Sequence, residues 1–161
     1  MDGKLVRLID TPGIGNVRGP EQDRKNLANI LSVLRNYKDL HGIVMLLKPN
    51  NARLNVMFKF CVKELLGQLH RSAGRNMVFG FTNTRASNYQ PGDTYQPLKT
   101  LLNEYSDVIK GLIKETVYCF DSESFRYLAA RRQGIDMGHL ADYRRSWTHS
   151  SGEASRLVEH F

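Results

Sequence analysis

The chain has 161 residues, 41% of them hydrophobic and 24% charged, with 23 Lys plus Arg against 16 Asp plus Glu and a formal net charge of +7. That length and apolar content suffice for a buried core, which excludes wholesale disorder. Two cysteines exclude a disulfide scaffold and fit a reducing, cytoplasmic setting. The basic balance favours anionic partners (nucleotides, nucleic acid or acidic lipid) without choosing among them, and no apolar run approaches a bilayer span or a signal-peptide core.

Leu5, Val6, Leu8 and Ile9 form a short apolar run that ends at Asp10 and is broken by Thr11-Pro12-Gly13, which predicts a strand entering a turn. After a loop through Gly19-Pro20, Leu27, Ile30, Leu31 and Leu34 recur at helical spacing. Gly42 to Leu47, closed by Pro49-Asn50, reads as a fully buried strand. Leu54, Met57, Phe58, Cys61, Leu65 and Leu69 make the next helical stripe, which Gly74 ends soon after. Met77 to Phe81 is a third strand stopping at Thr82-Asn83, and Pro91-Gly92 marks a turn. Leu98, Leu101, Leu102, Tyr105, Val108 and Ile109 predict a third helix, and Thr116 to Phe120 a fourth strand. Ser122 reads as the N-cap of a helix carrying Phe125 and Leu128. Beyond Gly134 the pattern weakens: Ser146 to Ser151 reads as a connecting loop, and Ala154, Leu157, Val158 and Phe161 as a last helix.

Strand and helix alternate throughout, which predicts an α/β fold: a mostly parallel sheet with helices on both faces. Residues 134–161 read as a helical extension of the same domain. Ligands in such folds sit at the carboxyl ends of strands. The segments of interest are therefore Asp10 to Gly15, Lys48 to Arg53, Thr82 to Arg85 and Asp121 to Glu123. An aspartate ending a buried strand orients water on a magnesium ion, and Gly13 lets a backbone N–H approach a phosphate. The same four residues also read as a plain turn that Asp10 caps.

Asp10-Thr11-Pro12-Gly13-Ile14-Gly15 resembles the third guanine-nucleotide motif of P-loop GTPases. It is most similar to the version in septins and in the immune-associated, avirulence-induced class. The resemblance runs from Lys4 to about Phe161 and implies an incomplete P-loop NTPase G domain, with GTP or GDP and Mg2+ as cofactors. It implies that Asp10 holds magnesium through water, that Thr11 and Gly13 flank the nucleotide with the Gly13 amide at the γ-phosphate, and that Ile14 to Glu21 is a switch segment. Thr82-Asn83-Thr84-Arg85 stands where the family reads the base with Asn/Thr-Lys-x-Asp. Asn83 replaces the lysine and Arg85 the aspartate. An arginine has five donors and no acceptor, so it cannot repeat the bidentate contact to guanine, though it can reach the guanine carbonyl or stack on the base. Ser122 and Glu123 occupy the last base-contacting loop, where the backbone near Ser122 meets the base oxygen and Glu123 supplies the missing acceptor.

No Gly-x-x-x-x-Gly-Lys-Ser/Thr run occurs in the sequence, so the phosphate cradle, its lysine and its magnesium-binding hydroxyl are not encoded here. The chain is therefore expected to be the carboxyl-terminal portion of a longer G domain, with impaired binding on its own. Ile14 stands where many GTPases position water, which implies slow or partner-dependent hydrolysis, with homodimerisation through the G domain as in dimerising members of the class. The expectation is a guanine-nucleotide-binding switch. The alternative is an inactive pseudo-GTPase used as an interaction scaffold. A dinucleotide fold is disfavoured because Pro12 lies inside the turn. Nucleic-acid binding rests on Arg126, Arg131, Arg132, Arg144 and Arg145 interleaved with Tyr127, Tyr143 and Trp147, but Asp136 and Asp142 interrupt the run, and neither DNA nor RNA is expected as a partner. The five histidines show no metal-ligand spacing.

Overall fold

Three strands pair in chain order into one parallel sheet in this computed structural model, which describes residues 5–13, 19–50, 54, 56–68 and 71–161. The elements run α1 (Pro20–Leu34), β1 (Ile43–Leu47), α2 (Val56–Gln68), α3 (Arg71–Gly74), β2 (Met77–Phe81), α4 (Tyr95–Asn103), β3 (Val117–Cys119), α5 (Glu123–Arg132) and α6 (Leu140–His160). The α/β class is as expected. The chain divides into two compact units, Met1–Asp39 with Asn55–Gln68, and Leu40–Leu54 with Leu69–Phe161.

In the first unit α1 packs against α2. Pro20 opens α1, where its missing N–H costs no hydrogen bond. Leu27 and Ile30 on α1 and Cys61, Val62, Leu65 and Leu66 on α2 are buried. Burial, with the negative charges of Asp23 and Glu64, pushes the Cys61 thiol above its ordinary pKa. The strand expected at Leu5 to Asp10 is not formed. Residues 5–13 have no regular structure, and Leu5 and Leu8 are exposed. A strand exists only through its pairing, and among the described residues nothing pairs with this one.

In the second unit β2 lies between β1 and β3, in register Met45 to Phe79 and Phe79 to Val117. All five β2 residues are buried, as a central strand covered on both faces requires. Val78, Phe79 and Phe81 are wholly buried, as is Leu98 of α4; each such side chain contributes roughly 1.5–3 kcal/mol of transfer energy. The helix expected to carry Leu98 to Ile109, α4, is shorter than that span. It ends at Asn103, and buried Ile109 reaches the core from the turns that follow.

The segment from Ser146 to Ser151, expected as a loop, is the middle of the 21-residue helix α6. Its polar residues bond the outer edge of β3. Among the described residues β3 pairs with β2 alone, so the outward backbone groups of Val117, Cys119 and Asp121 need other partners. The Cys119 N–H donates to Glu153 Oε2 at 3.0 Å, and the Cys119 carbonyl lies 3.0 Å from His149 Nε2. The Val117 carbonyl accepts from Arg156 at 2.6 Å. The Ser150 hydroxyl accepts from the Asp121 N–H and donates to its carbonyl, both at 2.9 Å. Positions 146, 149, 150, 153 and 156 share one helical face, and that face closes the sheet edge.

Candidate functional site

The carboxyl ends of the three strands are tied together by short polar contacts. After β1 the Lys48 carbonyl accepts from the Thr94 hydroxyl at 2.9 Å, and the Asn50 side chain accepts from the Asp93 N–H at 3.4 Å. Gly92 has φ +58° and a Cβ there would run into Asn50, so this approach requires glycine. Residues 51–53 of the expected segment lie outside the described residues. After β2 the Thr82 N–H and hydroxyl both reach the Leu47 carbonyl, at 2.8 and 3.2 Å. Asn83 takes a left-handed conformation at φ 60° and is exposed, as asparagine tolerates. Thr84, wholly buried, sends both its N–H and its hydroxyl to the Phe120 carbonyl.

Asp121 is the centre of the arrangement. It is 6% exposed, and its carboxylate accepts three hydrogen bonds: from the Arg85 N–H at 3.1 Å, the Glu123 N–H at 2.8 Å and the Ser146 hydroxyl at 2.8 Å. One carboxylate therefore holds the loop after β2, the first turn of α5 and the middle of α6. It also takes the capping role expected of Ser122. The Ser122 side chain makes no cap bond, because an oxygen one residue earlier already serves the first free N–H of the helix.

Arg85 and Glu123 meet at the rim. Their charged groups lie 3.9 Å apart, and the Arg85 guanidinium also bonds Asp142 on α6 at 3.2 Å and lies 5.2 Å from the centre of the Tyr143 ring. Glu123 is held further by Arg126 at 2.6 Å. The Arg85 and Glu123 side chains are 35% and 25% exposed. Ion pairs this open contribute no more than about 1 kcal/mol, so a ligand with its own donors can take over the Glu123 carboxylate.

The expected site residues thus fall into two groups. Thr82, Asn83, Arg85, Ser122 and Glu123 line one corner of the second unit, with Arg85 and Glu123 bridged through Asp121. Asp10, Thr11 and Gly13 belong to the first unit and are exposed. There the Gly13 carbonyl accepts from the Asn26 side chain of α1 at 3.0 Å, which anchors the segment. Of the expected switch, residues 14–18 lie outside the described residues.

Beneath this corner, Glu153 and Arg156 form a 2.8 Å ion pair beside Tyr118. Burial alone raises the Glu153 carboxyl, but hydrogen bonds from Arg156 and the Cys119 N–H, with the nearby positive charge, hold it below the usual carboxylate range. Burial, with Glu153 nearby, pushes the Cys119 thiol up to about 11, so it is a core thiol and not a nucleophile. Tyr127 and Tyr143, read in the sequence with the basic residues, are buried against each other with ring centroids 4.6 Å apart. Sequence reasoning missed Asp121 as the hub, Ser146 and Ser150 as its supports, Asp142 as the partner of Arg85 and Glu153 as the partner of the Cys119 N–H. The signal was present in the helical spacing of 146, 150 and 153. No family model, no curated protein and no solved structure matches the chain.

Proposed function

We propose that the chain carries the base-recognition and switch portions of a guanine-nucleotide-binding module of the P-loop class. One observation carries the reading: the loops after β2 and β3 are joined at the carboxyl ends of parallel strands through Asp121, which presents Arg85 and Glu123 together at the rim. That corner is where parallel α/β sheets take their ligands. In this reading Glu123 accepts from the guanine N1–H and amino group, Arg85 faces the carbonyl or the ring, and the Ser122 backbone supports the base. Asp10 holds magnesium through water, and Gly13 reads the terminal phosphate. Residue chemistry alone supports this part: Asp10 offers an exposed carboxylate, the hard oxygen donor magnesium takes, and a Cβ at Gly13 would meet only open space. Bound magnesium would supply charge neutralisation of the phosphates.

The test is magnesium-dependent binding of a fluorescent GTP analogue to the gene product that contains these residues. Displacement by GTP but not by ATP, with loss of binding on Asp10→Ala, is expected. No magnesium-dependent binding removes the reading. The 161 residues alone are expected to bind weakly, because they encode no phosphate cradle.

A second reading rests on a different observation. Arg85 is clamped by Asp142, Glu123 and Tyr143, which suits a pseudo-GTPase whose base corner has become an internal joint. A protein that folds normally, binds no nucleotide and loses stability on Asp142→Ala would favour it.

A further inference from the structure

α5 and α6 form an antiparallel hairpin. Asp121, just before α5, bonds Ser146 and Ser150, whereas Tyr127, further along α5, stacks on Tyr143, earlier in α6. The inward residues are Ser124 and Tyr127 on α5 and Tyr143 and Ser146 on α6. The outward ones are unusual. On α5 they are Phe125 and Leu128, 70% and 56% exposed, followed by Arg132; on α6 they are Leu140 and Trp147, 42% and 58% exposed, with Arg144 between them. Spacings of three, four and seven residues put each trio on one stripe. Since α6 turns its polar face to β3 and the two helices share the tyrosine pair, both stripes fall on the side of the hairpin away from the sheet.

Four large apolar side chains in water on one face call for a partner, and the charges specify its sign. Among the described residues neither Arg132 nor Arg144 has an ion-pair partner, while the nearby acids Glu123 and Asp142 are already held by Arg126 and Arg85. A second copy meeting this face by its own equivalent would set arginine against arginine. RNA supplies negative charge but offers nothing to Leu128 and Leu140, and the tyrosines that would stack on bases are buried. A surface both anionic and apolar satisfies all six side chains. The apolar groups project about one per turn from the outside of two helices, a layout for entering a headgroup layer rather than for receiving a peptide in a groove.

We propose that the outer face of the α5–α6 hairpin docks on anionic phospholipid bilayers. Phe125, Leu128, Leu140 and Trp147 enter the boundary between headgroups and acyl chains, and Arg132 and Arg144 pair with lipid headgroup anions. No span is involved: among the described residues no helix is long and apolar enough to cross a membrane. The inference is independent of nucleotide binding.

Trp147 is the only tryptophan in the chain, so its fluorescence reports on this face alone. Titration with phosphatidylcholine vesicles containing phosphatidylserine is expected to shift its emission to the blue, an effect reversed by high salt and absent with pure phosphatidylcholine. Arg132→Gln and Arg144→Gln, both at exposed positions, should each weaken binding by about five-fold, and together by roughly thirty-fold. Phe125→Ser with Leu128→Ser should abolish cosedimentation while far-ultraviolet circular dichroism stays unchanged. No shift with anionic vesicles, an equal shift with neutral ones, or undiminished binding by the arginine variants overturns the proposal. So does a shift produced by an acidic amphipathic peptide but not by vesicles, which would assign the face to a protein.

Discussion

Replacing Asp121 by alanine removes one acceptor group from three donors at once. The Glu123 N–H loses its cap, a loss of about 1 kcal/mol for an ordinary N-cap. The Ser146 hydroxyl is fully buried, and the Arg85 N–H beside it is only partly exposed; a buried donor stripped of its partner costs about 1–3 kcal/mol. Part of this is offset because a buried charge is also removed. The net loss is expected at about 3–4 kcal/mol, which for a chain of this size lowers Tm by roughly 6–15 °C. Asp121→Asn keeps an acceptor for Glu123 and Ser146 but turns its amide toward the Arg85 N–H, and should cost about half as much. Urea unfolding followed by circular dichroism gives the magnitude, and amide hydrogen exchange gives the location. Exchange should quicken at Arg85 and in the first turn of α5. A loss below about 1 kcal/mol in Asp121→Ala, where the lost cap alone predicts that much, with unchanged exchange at Arg85, would refute the role of Asp121 as the joint between the three elements.

Glu153 is held below the usual carboxylate range by Arg156 and the Cys119 N–H. Its stabilisation is therefore complete above the unfolded carboxyl pKa of about 4.3 and is lost as pH falls through the lower folded value. The stability gap between the native chain and Glu153→Gln should be constant near neutrality and should close in acid; a gap that widens in acid contradicts the assignment. With its pKa at about 11, Cys119 should resist a thiol reagent at neutral pH until the chain unfolds, and labelling at the rate of a free cysteine would show that α6 does not cover β3. If Glu123 is the guanine acceptor, Glu123→Gln should reduce the preference for GTP over ATP by roughly ten-fold, the worth of one charged hydrogen bond, in competition binding; an unchanged preference removes Glu123 from the base contact.

The three paired strands were legible because each is a run of apolar residues closed by turn formers. Burial did not follow equally: β2 is buried throughout, whereas β1, expected to be fully buried, leaves Val44 and Leu46 exposed. Leu5 to Ile9 is such a run too, but a strand is a property of a pair and the run does not contain its partner. α6 was obscured for the opposite reason. Helices are recognised by an apolar stripe, whereas the inward face of this one carries serines, histidine, glutamate and arginine, which bond the backbone of β3. Its period is helical all the same, so polar spacing was the signal. The meeting of the loops after β2 and β3 was legible in outline, since parallel strands bring their carboxyl ends to one edge of the sheet. That Arg85 is occupied by Asp142 was not, because the two are 57 residues apart and nothing local links them.

Photoaffinity labelling with an azido-guanine nucleotide in the presence of magnesium, followed by peptide mapping, tests the central claim most directly. Label that GTP competes away should fall on the peptides containing Thr82 to Arg85 and Ser122 to Glu123. Label confined to other peptides, or label that GTP does not displace, would contradict a base site at the ends of β2 and β3.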